Sequence, residues 1–345
     1  MKNIFQSIEK LHGDIIKLNQ RESHIQRAVD SINRIQSLER LEKYLLHVCE
    51  DTDFQKGITK EFLRVVEIGI HSFCNRKCWF CANSSMVDRH SKKELMPEEM
   101  FLKIISELAE IEYAGMITFH RYNEPLADKE LIIKRLSQVK SLLPNCSPSI
   151  FTNGDYIKDG EYLSELIEHS ASRIHISLYL NKDEPFFDEK IIASKFAKFF
   201  ARINIDPSQV WLNTKENRYE CALAGIYCGK VTVVVPNFEQ HAFTMAGTVD
   251  TGRRQARVKP CSQPFEGLWV DYHGYVMPCC MLRHEVAAHT YASLGNIHNK
   301  SLFELFCSKK MVEFRKKLKN YGVKRAACTY CDLHGEWMEK SSPLY

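Results

Sequence analysis

The stretch HSFCNRKCWFC, residues 71–81, decides the fold and follows the apolar run Val65–Ile70. It holds three cysteines in the spacing C-x3-C-x2-C: Cys74, Cys78 and Cys81. A structural zinc site takes four ligands, so this loop supplies one too few. Three thiolates on one short loop suit a [4Fe–4S] cluster that keeps one iron open, because closely spaced cysteines commonly hold such clusters. A zinc knuckle or an inert group of thiols is the alternative.

Length and composition are those of an ordinary globular enzyme. The 345 residues can bury a sizeable core in one large α/β domain with a smaller module. A net charge of +4 is too weak to indicate a nucleic-acid partner. Neither a signal-peptide core nor an apolar run of membrane-spanning length is present, so we expect a cytoplasmic chain with no membrane partner. Its 13 cysteines are then expected to be reduced, many of them bound to metal.

The chain divides into three predicted parts, 1–64, 65–240 and 241–345. The first has no glycine or proline between Gly13 and Gly57, and its apolar residues recur at intervals of three and four, as in an amphipathic helix. This predicted helical arm either packs against the main domain or binds a partner.

The middle part alternates predicted strands and helices. The strands are Val65–Ile70, Met116–His120, Ser149–Thr152, Arg173–Leu180, Val210–Asn213 and Lys230–Val235. The helices are Pro97–Ile111, Lys129–Leu142, Glu161–His169, Glu189–Arg202 and Lys215–Ala224. This alternation predicts an α/β fold with a parallel sheet and crossover helices, and it does not separate a barrel from an open sheet.

With a strand before it and an aromatic residue before its third cysteine, the loop resembles the radical S-adenosylmethionine (SAM) superfamily. The resemblance implies a partial (β/α)6 barrel with its chemistry at the C-terminal strand ends. It also implies that SAM chelates the open iron of the cluster at Cys74, Cys78 and Cys81. One electron from an external reductant such as flavodoxin or ferredoxin would cleave SAM to a 5′-deoxyadenosyl radical, which abstracts hydrogen from the substrate.

The resemblance also assigns contacts to SAM. Glu124-Pro125 is similar to the end of the family's G-G-E-P element, which binds the SAM amino group, and Asn123 stands in place of its second glycine. Phe80 stands where the family contacts adenine. Asn153 ends the third predicted strand in a turn that lets backbone approach a ligand, and Ser177 matches a polar contact to the SAM ribose or carboxylate.

The C-terminal part contains Cys261, then Gly274-x4-Cys279 after twelve intervening residues, then Cys328-x2-Cys331. This pattern resembles the SPASM and twitch modules of the same superfamily. No cysteine follows Cys331, which favours the shorter twitch module with one auxiliary [4Fe–4S] cluster. A four-cysteine zinc site is the alternative, and spacing does not rank Cys279 above the adjacent Cys280.

Within the superfamily, the loop F-H-x-Y-x-E-P-L and the turn T-N-G-D resemble twitch dehydrogenases of the 2-deoxy-scyllo-inosamine dehydrogenase type. The resemblance implies an oxidoreductase that acts on a hydroxylated small molecule, such as a sugar or an aminocyclitol. Thr244-Met245-Ala246-Gly247 stands where those enzymes carry a substrate-binding Asn-Arg-Gly-Gly element, so a different substrate is expected. Two alternatives stay open: a ribosomal-peptide maturase whose arm recognises a leader, and a non-catalytic zinc or electron-transfer protein.

Overall fold

The computed structural model describes residues 39–333, with gaps at 41, 86–91, 207–209, 211, 216, 224–225 and 253–254. The chain forms two compact units, Met1–His47 and Val48–Tyr345. In the first unit, residues 42–45 are helical. Most of the predicted arm lies outside the described residues, and its last part forms helix α1, Thr52–Phe62, in the second unit.

A ten-stranded sheet organises the described part of the second unit. In chain order its strands are β1 Val65–Ile68, β2 Met116–Thr118, β3 Ser147–Thr152, β4 Arg173–Ser177, β5 Leu212–Lys215, β6 Arg218–Ala222, β7 Val231–Pro236, β8 Gly267–Val270, β9 Tyr275–Met277 and β10 Gly295–Asn296. Their spatial order is β10-β9-β8-β1-β2-β3-β4-β7-β6-β5. The run from β8 to β7 is parallel, so the predicted α/β class with a parallel sheet is confirmed. Its sixth parallel strand, β8, comes from the C-terminal part and pairs with the far side of β1.

Four helices connect the parallel strands, and the sequence predicted each to within two residues. They are α2 Glu98–Glu110, α3 Lys129–Leu142, α4 Gly160–Glu168 and α5 Glu189–Arg202. The N-cap residues of the last three are Asp128, Asp159 and Asp188. Their carboxylates accept hydrogen bonds from free backbone N–H groups of the first turn. Because the strands they connect are parallel, the carboxyl ends of β1 to β4 meet at one edge, where the loops carry the predicted site.

The predicted helix Lys215–Ala224 is wrong. Its centre is strand β6, which pairs antiparallel with both β5 and β7. Tyr219 and Cys221 are buried and alternate with less buried neighbours, which is the period of two of a strand and not the 3.6 of a helix. The strand predicted at Val210–Asn213 is shifted and becomes the exposed edge strand β5.

Strands β8 and β9 form a hairpin whose turn requires Gly274. This residue has φ of +83°, and an added Cβ would lie 2.5 Å from the Met100 sulfur. The remaining helices are α6 Phe238–His241, α7 Gln263–Glu266, α8 Leu302–Phe306 and α9 Lys309–Leu318. The last two are separate helices, because the Ser308 hydroxyl accepts from Met311 N and begins α9. Helix α1 packs against α8.

In the described part of the chain, none of the helices has both the length and the apolar character that crossing a membrane requires. The residues from Val48 onward form a single compact unit. The division at 64/65 and 240/241 therefore stays a prediction.

Candidate functional site

The three-cysteine loop begins beyond the carboxyl end of β1 and turns tightly, since Cys81 N donates to the Cys78 carbonyl at 3.0 Å. All three cysteines are partly buried. Burial, with a smaller contribution from the charge of Cys81, raises the pKa of Cys74 and of Cys78 to about 12. The thiols therefore stay protonated at neutral pH until a metal replaces the proton.

The loop after β3 fixes the cysteine loop from outside. Arg76 Nε lies 2.6 Å from Asp155 Oδ2, and Asn75 Nδ2 donates to the same oxygen at 2.7 Å. Asn153 Nδ2 donates to Asn75 Oδ1 at 2.8 Å. The predicted site residue Asn153 is thus in direct contact with the cysteine loop. Sequence reasoning missed Arg76 and Asp155 because nothing local indicates their pairing.

Glu124 lies in the loop after β2 and is buried, 2% exposed. Its carboxylate accepts from Asn153 N at 2.8 Å and from Thr152 Oγ1 at 2.6 Å. Burial nevertheless raises its pKa to about 7, because desolvation outweighs these hydrogen bonds. In the described residues no cation pairs with this carboxylate. A ligand ammonium group, such as the amino group of SAM, fits this position.

The other predicted SAM contacts lie around Glu124 and along the same strand edge. Asn123 Nδ2 donates to the Phe119 carbonyl at 3.0 Å, while its buried Oδ1 has no partner among the described residues. Ser177 ends β4. Phe80 stacks on Phe238 with ring centroids 4.0 Å apart, beside a groove with about 960 Å³ of empty volume that is partly open to solvent.

Four cysteines of the C-terminal part line one small cavity, with about 330 Å³ of empty volume. They are Cys261, Cys279, Cys328 and Cys331, the predicted auxiliary set. Burial raises the pKa of Cys328 to about 12 and that of Cys331 to about 11. The thiol of Cys280 instead donates to Gln263 Oε1 at 3.4 Å. This arrangement favours Cys279 over Cys280 as the ligand.

Over the described ranges, no three His, Cys, Asp or Glu side chains are arranged to hold a single metal ion. A mononuclear zinc site needs four sulfurs about 2.3 Å from a common centre. Four thiolates around one cavity match the donor set of a [4Fe–4S] cluster.

A set of polar side chains connects the two cysteine sites. Arg121 Nη1 and the Tyr122 hydroxyl both donate to the Cys280 carbonyl, at 3.0 and 2.6 Å. The guanidinium of Arg283 lies 4.1 Å from the Tyr122 ring centroid, and its Nη1 donates to Asn83 Oδ1 at 2.8 Å. Asn83 follows Cys81 by two residues, so the chain of contacts runs from one cysteine site to the other.

A second polar group, missed from the sequence, occupies the same face of the sheet as Ser177. Glu67 Oε2 lies 3.4 Å from His120 Nε2. The His120 ring contacts Phe151, with centroids 4.6 Å apart, and Phe151 contacts His175 at 5.4 Å. Burial lowers the pKa of His120, and it lowers the pKa of His175 to about 4. Both imidazoles therefore favour the neutral form at pH 7. The pKa of about 4 makes His175 a weak proton acceptor, whereas the charge of Glu67 acts to raise the pKa of His120. One feature of the sequence could have indicated this polar group: Glu67 is a charged residue inside an apolar strand.

Comparison with known proteins agrees with this geometry. Residues 68–204 match the radical SAM superfamily, and residues 261–332 match SPASM, an iron-sulfur cluster-binding domain. The S-adenosyl-L-methionine-dependent 2-deoxy-scyllo-inosamine dehydrogenase of Niallia circulans is 33% identical over 95 residues. That match covers 28% of this chain and 37% of the relative, little more than a third of its length.

Two solved structures share the fold. The crystal structure of BtrN in complex with AdoMet and 2-DOIA has a TM-score of 0.60 at 23% identity, covering 81% of this chain and 96% of that one. The open conformation of selenomethionine BtrN has a TM-score of 0.50 at 19% identity, covering 78% and 95%. The two matched domains follow one another in the predicted order, and each contains its predicted cysteine set. Residues 68–204 of this chain therefore form a radical SAM domain, and residues 261–332 form a SPASM iron–sulfur domain behind it.

Proposed function

We propose that this enzyme oxidises a hydroxyl-bearing carbon of a small molecule, such as a sugar or an aminocyclitol. The substrate loses one hydrogen atom from carbon, one proton from oxygen and one electron, which passes to an auxiliary [4Fe–4S] cluster. The observation that carries this proposal is the four-cysteine cavity, linked through the Cys280 carbonyl to Tyr122 in the loop before Glu124. Four cysteine ligands leave no iron for substrate, which favours electron transfer as its role. The partial match to a dehydrogenase supports an alcohol substrate.

The proposal assigns each cofactor to named residues. Cys74, Cys78 and Cys81 hold the first [4Fe–4S] cluster, and the four cavity cysteines hold the auxiliary one. The Glu124 carboxylate binds the SAM ammonium group, Asn123, Asn153 and Ser177 supply polar contacts, and Phe80 packs against adenine. When bound, these groups supply one-electron cleavage of SAM and hydrogen abstraction from an unreactive C–H bond.

Residues of the protein then accept the proton of the substrate hydroxyl. His120 is neutral at pH 7 because burial lowers its pKa. Its Nε2 faces Glu67 across 3.4 Å, longer than an ordinary hydrogen bond. A substrate hydroxyl beside this pair can give its proton to the imidazole, and the carboxylate stabilises the imidazolium that forms. His175 lies on the same face of the sheet as Ser177, and both side chains would position the substrate.

The remaining assignments follow from this chemistry. An external one-electron carrier, such as flavodoxin or ferredoxin, reduces the first cluster. The reduced thiols that both sites need favour a cytoplasmic location. The three-part division at 64/65 and 240/241 separates arm, SAM core and auxiliary module.

The experiment that tests the function measures whether SAM cleavage is coupled to oxidation of the substrate. Reduced, cluster-replete enzyme with SAM alone should form 5′-deoxyadenosine slowly, because no C–H bond is positioned for attack. Aminocyclitols and sugars deuterated at each carbinol position are then added one at a time. A true substrate should accelerate 5′-deoxyadenosine formation, transfer deuterium to it and yield a ketone. Deuterium transfer from a peptide and from none of the alcohols would replace the proposal by peptide maturation.

Variants test the proton acceptor in the same assay. His120→Gln and Glu67→Gln should keep uncoupled SAM cleavage but lose ketone formation, by about 10²- to 10⁴-fold for the acceptor itself. His298→Gln, which changes an exposed histidine, is the control. Equal ketone yields in His120→Gln and the control would remove His120 from the mechanism.

A further inference from the structure

Two buried cations lie beside the auxiliary cavity. Arg257 is 8% exposed and lines the cavity together with the four cysteines. Lys324 is 5% exposed and lies four residues before Cys328. Throughout the part of the chain that the structure describes, no Asp or Glu forms an ion pair with either side chain. A buried charge without a counter-charge is costly, so this pair needs a negative group beside it.

Arg257 is held rigidly and directed at the sulfurs. Its guanidinium donates to the carbonyls of Lys259, Pro260 and Leu333, and Nη1 lies 3.9 Å from Cys331 Sγ. Its backbone N–H donates to the Thr329 carbonyl at 2.7 Å, between the ligands Cys328 and Cys331. These contacts hold the guanidinium in an orientation that places its positive charge beside Cys331 Sγ.

Hydrogen bonds also hold Lys324 close to Arg257. Its backbone N–H donates to the Arg257 carbonyl at 3.0 Å, and Nζ donates to the carbonyls of Lys317 and Asn320. Both cations therefore lie beside the segment that carries Cys328 and Cys331. Asp332 is the opposing charge at Cys331, and its Oδ1 accepts from Thr244 N.

The first cysteine site has a different set of nearby charges. Its arginine, Arg76, is paired with Asp155, and the backbone N–H of the buried Glu124 donates to the carbonyl of Phe73, next to Cys74, at 2.9 Å. The net charge around a cluster is one of the factors that set its reduction potential. Nearby positive charge favours the state with one more electron, and negative charge disfavours it.

We propose that Arg257 and Lys324 raise the reduction potential of the cluster held by the four cavity cysteines and so make it the electron acceptor of the enzyme. This inference rests on the proposed function, because it presumes a redox-active cluster in that cavity. Arg257 acts here as a positioning and tuning residue and contacts no substrate.

The test is a potentiometric titration of the full-length chain with Cys74, Cys78 and Cys81 replaced by alanine, so that only the auxiliary cluster titrates. Dithionite is the reductant, dyes are the mediators, and visible absorption reports the oxidised fraction. In this background, Arg257→Gln removes the charge but keeps an amide donor, whereas Arg257→Lys keeps the charge and loses the planar fork. Lys324→Gln removes the second charge, and Lys316→Gln removes an exposed one.

At a fixed potential, Arg257→Gln should lower the ratio of reduced to oxidised cluster about tenfold, which is a decrease of about 59 mV for one electron. Lys324→Gln should lower the ratio by a smaller factor, while Arg257→Lys and Lys316→Gln should titrate like the parent. Equal midpoints in all variants, or equal losses in Arg257→Lys and Arg257→Gln, would overturn the inference. If Arg257→Gln does not retain its cluster, Lys324→Gln decides the question, because its side chain does not line the cavity.

Metal analysis of the parent separates this inference from the proposed function. Zinc without sulfide in the alanine background would refute the electron acceptor, and the inference with it. If the iron–sulfur cluster is complete and its midpoint potential is the same in the parent, Arg257→Gln and Lys324→Gln, the inference is refuted while the proposed function stands.

Discussion

Arg76 binds both carboxylate oxygens of Asp155: its Nε lies 2.6 Å from Oδ2, and its Nη2 contacts Oδ1. The two residues are 79 positions apart in the chain. A residue between Cys74 and Cys78 is thus anchored to the loop after β3. The path of the cysteine loop therefore depends on the sheet edge as well as on its own turn.

Asp155→Asn should loosen this loop. Burial acts to raise the pKa of Asp155, but the hydrogen bond and charge of Arg76 lower it overall. Its folded-state pKa is thus depressed, so its stabilisation is present above the unfolded pKa of about 3.8 and is lost as pH falls through the folded value. The pair is about a third exposed, so screening limits the expected loss to about 1 kcal/mol of unfolding free energy at pH 7.

Two measurements check this variant: urea unfolding of the cluster-free chain, and the rate at which a chelator removes iron from the first site. The rate should increase several-fold. Glu98→Gln, which breaks an exposed pair with Lys134, is the control. If both variants lose iron at the parental rate, the pair does not position the loop.

Metal content is the second prediction. Two [4Fe–4S] clusters give about eight iron and about eight sulfide per chain. Replacement of Cys74, Cys78 and Cys81 by alanine should leave about half of each, because the auxiliary cavity is built from different residues. Iron and sulfide assays on anaerobically reconstituted protein measure both. Loss of all iron in the alanine variant would show that the second site holds no independent cluster.

Cys328→Ala should separate SAM cleavage from product formation. The variant removes one of the four cavity ligands, while the first site keeps its cysteines and Glu124. We expect 5′-deoxyadenosine to form at a rate similar to that of the parent and the ketone to decrease by at least about 10²-fold. Cys228→Ala, which changes an exposed thiol, is the control. A full ketone yield from a Cys328→Ala protein shown to lack the auxiliary cluster would contradict the acceptor role.

SAM affinity should depend on pH through Glu124. Its pKa is raised to about 7 by burial, so the carboxylate that would pair with the ammonium group is mostly protonated at pH 6 and mostly charged at pH 8. Affinity should therefore decrease about tenfold between pH 8 and pH 6, one decade per unit below the pKa. Equilibrium dialysis with labelled SAM measures it. Glu124→Gln should bind weakly at both pH values. An unchanged pH dependence in Glu124→Gln would assign it to another group.

The sequence predicted those features that local spacing determines. The loop with Cys74, the acidic residue Glu124 and helices such as Lys129–Leu142 follow from patterns a few residues long. Contacts between distant segments, such as Tyr122 with the Cys280 carbonyl, leave no trace in such patterns. Strand β6 was mistaken for a helix because a short segment with two buried residues, Tyr219 and Cys221, fits either period.

The last prediction tests whether the N-terminal residues select the substrate. Deletion of residues 1–47 removes the first compact unit and keeps α1, which belongs to the second. Every proposed cluster and SAM ligand lies between Cys74 and Cys331, so a small-molecule dehydrogenase should keep its turnover to within a few-fold. A peptide maturase that reads a leader through the arm should instead lose peptide affinity while uncoupled SAM cleavage survives. Ketone formation, peptide binding and iron content are measured on the same preparation. A soluble, cluster-replete truncation that loses only peptide binding would reverse the proposed substrate class.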